Sequence, residues 1–360
     1  AELASSVVFS DALHVGFITF LLFLQRKKFM RFLFIVCFFI VLFSCKRKDE
    51  VDLSAVDVAI ELCRFDRELF SLSFDSLEEQ SALLRERHPL FFDIYMQKII
   101  SVGSHMQASF VQNLQSFLTD YTINLIWQET EKRFSNEQEL NSSFTEAFKR
   151  YAWYFPGHPI PQVYTFIAGF NQSIVVADSL LAIGLDKYLG SGCPLYFRVG
   201  FPRYQRLNMY PEKIVPDALK GFLLVEFPFD EDNGKLIHYM LYNGKILYCL
   251  DKLFPAVHDT IKTGFTRQQL DFCMQNERRM WTYLVEQKLL FSTDMFTIKK
   301  FTGEGPFTKD FTNKSPAGAA NWIGWQMIKR YMQHEPHQSL SDLMKDKDYP
   351  EIMRKARYNP

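Results

Sequence analysis

Twelve uninterrupted apolar residues, Phe32 to Phe43, constrain this chain more than any other stretch. A basic patch, Arg26-Lys27-Lys28 and Arg31, precedes them, and Ser44-Cys45 closes them. A helix needs about 20 apolar residues to span a bilayer, so this run is too short. Its order of positive region, short apolar core and small residue is that of a cleaved secretory signal. A cysteine directly after the small residue makes it a lipoprotein signal. Ser44 gives the peptidase access to the scissile bond. The Cys45 thiol takes a thioether-linked diacylglycerol, and cleavage frees the Cys45 amine for a further acyl chain. Several chains anchor stably where one is marginal, because each buried CH₂ contributes about 0.8 kcal/mol. The mature protein is expected to be a globule held at a bilayer through acylated Cys45. Met30 opens a well-formed signal over residues 30–45. Residues 1–29, with a second apolar stretch at Val15–Leu24, therefore read as an over-extended N-terminus.

Lys plus Arg and Asp plus Glu are 41 each, so no net field draws the chain to nucleic acid. The segment 46–56, KRKDEVDLSAV, is charged and lacks aromatics, as suits a tether. Residues 57–360 then read as a single domain, whose 36 Phe, 16 Tyr and 5 Trp (counted over the whole chain) promise a large aromatic core. Cys37 leaves with the signal. Cys63, Cys193, Cys249 and Cys273 lie far apart without metal-type spacing. Cys249 and Cys273 sit on apolar helical faces and read as core thiols; one disulfide stays open in an oxidising envelope compartment.

Apolar spacing predicts helices between Leu77 and Ile100, broken at Pro89, then over Gln107–Leu118, Thr122–Phe134 and Leu140–Tyr154. Pro156, Gly157, Pro159 and Pro161 form a hard break. Val163–Ala168, Ile174–Ala177 and Leu180–Leu185 follow as three strands with tight connections, read as an antiparallel β-meander. Helices return at Ala218–Phe227, Gly234–Tyr248, Thr266–Phe291 with Thr266 as N-cap, and Ala319–Met332. The class is α+β, mostly helical with a small sheet.

A helix–sheet–helix order raises the question of a zinc peptidase. Its signature would be His-Glu-x-x-His, where two imidazoles one turn apart grip the metal and the glutamate activates water. No such pentad occurs. His334-Glu335-Pro336-His337 has proline between its histidines and reads as a polar loop. His238-Tyr239-Met240-Leu241-Tyr242 has tyrosine at the base and second-ligand positions, and His238 reads as a core histidine. The remaining histidines do not cluster. There is no Gly-x-Ser-x-Gly, no Walker-type glycine loop and no dinucleotide fingerprint. Nothing here defines an enzyme or a cofactor, and no metal site is expected.

A set of short strings resembles the gliding-motility lipoprotein GldB family of the Bacteroidetes from about residue 57 onward. They are Arg64-Phe-Asp-Arg-Glu-Leu-Phe70, Tyr154-Phe-Pro156, Thr165-Phe-Ile-Ala-Gly-Phe-Asn171 and Gly184-Leu-Asp-Lys-Tyr-Leu-Gly190. The set continues with Gly244-Lys-Ile-Leu-Tyr248, Asn276-Glu277 with Trp281, Pro306-Phe307, Ser315-Pro316, Trp322-Ile-Gly-Trp325 and Tyr331-Met332. Each is weak alone; their order along the chain is specific. The resemblance implies a non-catalytic envelope lipoprotein needed for gliding and for the associated secretion machinery. It faces the periplasm, on a membrane the sequence does not identify. Its partners are the bilayer and proteins of that machinery. The family is in turn similar to predicted zinc proteases, which implies a zincin-like fold with a degenerate metal site. Asn243 stands where the family more often has Glu. An envelope zinc peptidase with an atypical site is the alternative.

Five further expectations attach to particular residues. Asn171 suits a turn where asparagine tolerates positive φ. Asp186 and Lys187 end a strand and are placed to pair. Gly184 and Gly190 free the backbone for a bend or close approach. Lys245 and Glu277 suit a buried ion pair between helices, whose one-sided loss costs roughly 3–5 kcal/mol. Trp281, Trp322 and Trp325 are expected to line a groove over the sheet.

Overall fold

Leu180-Leu-Ala-Ile-Gly184 carries no polar side chain, and a strand without a polar face needs cover on both sides. The computed structural model describes residues 51–229 and 234–360, with Leu53–Pro360 as its compact unit. Its sheet has three strands, β1 (Gln162–Phe166), β2 (Ile174–Ala177) and β3 (Leu180–Gly184), in the order β1-β3-β2. The all-apolar β3 is the central strand, buried at every position. β2 pairs with it antiparallel, but β1 pairs with it parallel, Val163 opposite Leu181. The sheet is therefore mixed, not an antiparallel meander. The reason is local: the chain leaves β1 through Gly169 and Phe170, both left-handed (φ 64° and 70°), and so turns away from direct pairing with β2. Asn171, expected to hold that conformation, does not.

Alternation along the strands splits the sheet between two cores. Tyr164, Phe166, Leu180 and Ala182 face α1 (Phe65–Phe70), α2 (Leu77–Arg87), α3 (Pro89–Ile94) and α4 (Phe110–Thr119). Pro89 ends one helix and opens the next, as expected. α5 (Tyr121–Arg133) and α6 (Gln138–Tyr154) follow. Val163, Leu181 and Ile183 face a larger core built with α6 and the C-terminal helices. After β3 the chain forms two short helices, α7 (Pro194–Arg198) and α8 (Arg203–Arg206). After them come α9 (Ile214–Glu226), α10 (Leu236–Leu253), α11 (Asp259–Thr263), α12 (Arg267–Glu286), α13 (Met295–Thr302), α14 (Ala319–His334), α15 (Leu340–Lys345) and α16 (Tyr349–Ala356). Thr266 caps α12 in a capping box: its hydroxyl accepts the Gln269 N–H at 3.2 Å, and Gln269 accepts the Thr266 N–H at 2.9 Å. Cys193, Cys249 and Cys273 are buried free thiols, and Cys63 is free and half-buried. Among the described residues, no helix is long and apolar enough to cross a membrane.

A network around the Arg64 string ties α1 to the rest. Arg64 and Asp66 are buried and paired at 2.7 Å. Asp66 accepts the Thr165 hydroxyl of β1 at 2.5 Å. Arg64 also reaches the Phe134 carbonyl at 2.8 Å, and Arg67 pairs with Glu131 and Glu137 at 2.8 and 2.9 Å.

The larger core turns on one crossing. α10 and α14 meet at Gly244 and Gly324, where backbone touches backbone. A Cβ on Gly324 would stand 1.8 Å from the Met240 carbonyl oxygen, and one on Gly244 would stand 2.4 Å from the Gly324 carbonyl carbon. In an exposed helix Gly→Ala gains about 1 kcal/mol of propensity. At Gly324 the sign is expected to reverse, to a loss of about 1–3 kcal/mol or more from overpacking. Urea unfolding of Gly324→Ala checks this; an unchanged or raised midpoint would contradict the crossing.

Candidate functional site

Because β1 and β3 run parallel, the chain leaves both at the same end of the sheet. A cleft of about 600 Å³ opens there. The loop after β1 supplies Phe170, Asn171 and Ser173, and the turn after β3 supplies Lys187 and Tyr188. α9 and the residue before it add Lys213, Asp217 and Lys220, spaced by four and three, as one helical row requires. α10 adds Asn243 and Leu247; α14 adds Asn321. The segments Thr263–Thr266, Thr302–Pro306 and Pro316–Gly318 complete the wall.

Asp186 shapes the wall without lining it. It is fully buried, and its Oδ2 accepts the Ala168 and Phe170 N–H groups at 3.1 and 2.7 Å. Those bonds hold the left-handed Phe170 and so present Asn171 to the cleft. Burial pushes the Asp186 carboxyl up to about 6, against the two N–H bonds that favour its charge. The expected pairing with Lys187 is not made. Lys187 donates to the Phe170 carbonyl at 3.3 Å and sits over the Phe201 ring at 4.4 Å. Burial lowers its ammonium.

Two cations on the α9 row differ. Lys213 is satisfied by Asp217 at 3.1 Å and the Ile261 carbonyl at 2.9 Å. Tyr188 donates to the other Asp217 oxygen at 3.3 Å. Lys220 makes no hydrogen bond or ion pair among the described residues. Burial lowers its ammonium too, with Asp217 opposing. Asn243 donates to the Tyr239 carbonyl at 2.9 Å and Asn321 to the Thr302 carbonyl at 2.8 Å. The Asn321 Oδ1 is buried without a partner. The described lining holds no histidine or cysteine. Its side chains offer charge and hydrogen bonding.

Several expected site residues lie elsewhere. Trp322 and Trp325 are buried in the α10–α14 core, and Trp281 packs edge-on against Tyr358 at 5.1 Å. No tryptophan lines the cleft. Trp322 and Trp325, three apart on α14, share one helix face, and both rings are buried in the larger core. Lys245 and Glu277 do not pair. Lys245 is buried, donates to the Asp346 carbonyl at 2.5 Å and lies over Tyr349 at 4.9 Å; burial lowers it to about 8. Glu277 accepts the Tyr358 hydroxyl at 2.6 Å. Gly184 fits its expected close approach: a Cβ there would stand 2.2 Å from the Gln172 carbonyl oxygen. His238 stacks on Tyr349, as a core histidine does. Ser44 and Cys45 lie outside the described residues.

One cluster was not read from the sequence. Cys63, Glu68 and His88 bring a thiol, a carboxylate and an imidazole within 4.8 Å of one another. Glu68 accepts from His88 at 3.0 Å and pairs with Arg87. The thiol sits 3.8 Å from both ring nitrogens, and burial pushes it up to about 12. It is a protonated thiol beside an engaged carboxylate.

Fold and cleft define a class: a helix-covered α+β domain with one large polar cleft at the end of its mixed sheet. The chain belongs to the gliding motility protein GldB family, whose model matches residues 46–360. No curated protein and no solved structure matches it, so the zincin-like likeness draws no support from a known fold. Lys213, Lys220 and Asn321 were missed in the sequence. For Lys220 the available signal is Asp217 and Lys220, three apart inside the otherwise apolar Ile214–Val225; Lys213 and Asn321 carry no such signal.

Two measurements check the site's wiring. The Asp186 carboxyl, near 6 when folded against an ordinary 3.8, holds a proton that the unfolded chain has lost between those values. Its stabilising effect is full below the lower value and is lost as pH rises through the higher. Asp186→Asn keeps an acceptor oxygen and removes the titration. It should gain roughly 1–3 kcal/mol on the wild type between pH 4 and 7; parallel pH profiles in urea unfolding would contradict this. A double-mutant cycle of Lys245→Met with Glu277→Gln should give coupling within about 0.5 kcal/mol of zero. The cycle of Glu277→Gln with Tyr358→Phe should give about 1 kcal/mol or more.

Proposed function

We propose that this protein is a lipid-anchored, non-catalytic part of the envelope machinery for gliding, working through contacts at its polar cleft. The observation that carries the reading is convergence. Strings far apart in sequence, Thr165–Asn171, Gly184–Gly190, Gly244–Tyr248, Pro306-Phe307 and Ser315-Pro316, each place at least one residue in the cleft wall. The same strings carry the family resemblance. At the rim, Leu207 presents an exposed apolar side chain beside Phe201 and Tyr204, as a protein-contacting edge would. The acylated Cys45, the periplasmic face and the support of protein secretion belong to this same reading. They rest on the signal-like N-terminus and on the family.

The Cys63–Glu68–His88 group favours a second reading, a zinc-dependent envelope enzyme, because its three ligand types suit that metal. Stoichiometric zinc that disappears in Cys63→Ser would support it. For the first reading, Cys45→Ala is the test. The variant should move from the detergent phase to the aqueous phase of a detergent partition and fail to restore gliding to a deletion strain. Retention in the detergent phase with normal gliding would overturn the anchor.

A further inference from the structure

We propose that the cleft binds the carboxylate of a short peptide segment, with Lys220 as its cation and the Asn321 side-chain carbonyl accepting an adjacent amide N–H. The proposal deepens the reading of this cleft as the contact site and rests on it. Two independent observations point to a ligand. Lys220 lines the cavity with no ion pair or hydrogen bond among the described residues. Burial lowers its ammonium, and Asp217 and Glu304 oppose that through space without forming an ion pair with it. Separately, the Asn321 Oδ1 is buried in the same wall with no donor. A buried acceptor without a donor is costly, and native structures rarely keep one without use; beside it, the half-buried Lys220 offers a donor that nothing in the wall takes up.

The two vacancies together ask for an anion and a neighbouring N–H. A peptide carboxylate offers both, whether at a chain terminus or on an acidic side chain. Sulfate and chloride offer no donor for Asn321. At about 600 Å³ the cavity lies within the usual range for small-ligand sites, about 300–1,000 Å³, and admits a few residues rather than a folded domain. The other charges do not supply what Lys220 lacks. Asp217 is taken by Lys213 and Tyr188. Lys187 is turned to the Phe170 carbonyl and the Phe201 ring. Glu304, on the exposed segment after α13, is the remaining carboxylate in the wall and makes no ion pair with Lys220. It competes with an incoming carboxylate.

Saturation-transfer NMR on the detergent-solubilised full chain tests this with three probes. They are N-acetyl-Ala-Ala-Ala with a free carboxylate, N-acetyl-Ala-Glu-Ala amide, and N-acetyl-Ala-Ala-Ala amide. At least one acidic probe should bind, and which one does distinguishes a chain terminus from an acidic side chain. The uncharged amide should bind about tenfold more weakly or not at all. Lys220→Met should lose the preference while raising the melting temperature by about 2 °C or more, because a desolvated cation is gone. That rise shows the variant is folded. Glu304→Gln should tighten acidic-probe binding. Equal binding of all three probes, no binding of any, an unchanged preference in Lys220→Met, or weaker acidic binding in Glu304→Gln would each overturn the proposal. Binding is read on isolated protein, so its failure leaves the anchored gliding role standing. A Cys45→Ala protein that binds peptide yet glides normally would sink that role alone.

Discussion

The cleft depends on how closely α10 and α14 approach. Their backbones touch because glycine occupies both sides of the crossing, at Gly244 and Gly324. Each glycine has a cleft residue nearby on its own helix: Asn243 precedes Gly244, and Asn321 lies one turn before Gly324. A wider separation would move both asparagines. The crossing gives up helix propensity, about 0.5–1 kcal/mol for each glycine, and in return lets the two backbones approach closely within a core in which Trp322, Trp325 and Ile328 are buried. The tryptophans are part of the core behind the site rather than its surface.

The same pattern holds at the sheet end. Asp186 is buried at a cost visible in its raised carboxyl, and it holds Phe170 in a left-handed conformation worth of order 1–3 kcal/mol of strain. Lys187 and Lys220 are both desolvated. Departures from local rules tend to gather where a protein works. Here several of them adjoin one cavity, while the Arg64–Asp66–Thr165 network, equally buried, is paired and holds α1 to β1.

Much of the fold was legible because it depends on neighbours in sequence. The break at Pro89, the Thr266 cap and the three strand segments needed only local pattern. Strand order was not legible from alternation, which tells a residue's face but not which strand lies beside it. The polar-free run Leu180–Ile183 was the one clue to a central strand. Aromatic richness announced a large core but did not say that Trp322 and Trp325 would be inside it. Lys245 and Glu277 both face other segments, the Asp346 carbonyl and Tyr358, whose approach no helical spacing encodes. The Cys63–Glu68–His88 group forms because α1 and the start of α3 meet, with no regular spacing to announce it.

The tight helix crossing and strained loop maintain a polar, under-neutralised cleft, and membership of a gliding motility family gives that cleft its context. Filling the cleft while leaving the fold alone tests this most directly. Gln205 sits on the rim, partly exposed, on short α8. Gliding speed should be measured in a deletion strain carrying Gln205→Trp, with membrane-bound protein quantified alongside. Normal amounts of protein with gliding lost is the predicted result; normal amounts with full-speed gliding would contradict the account.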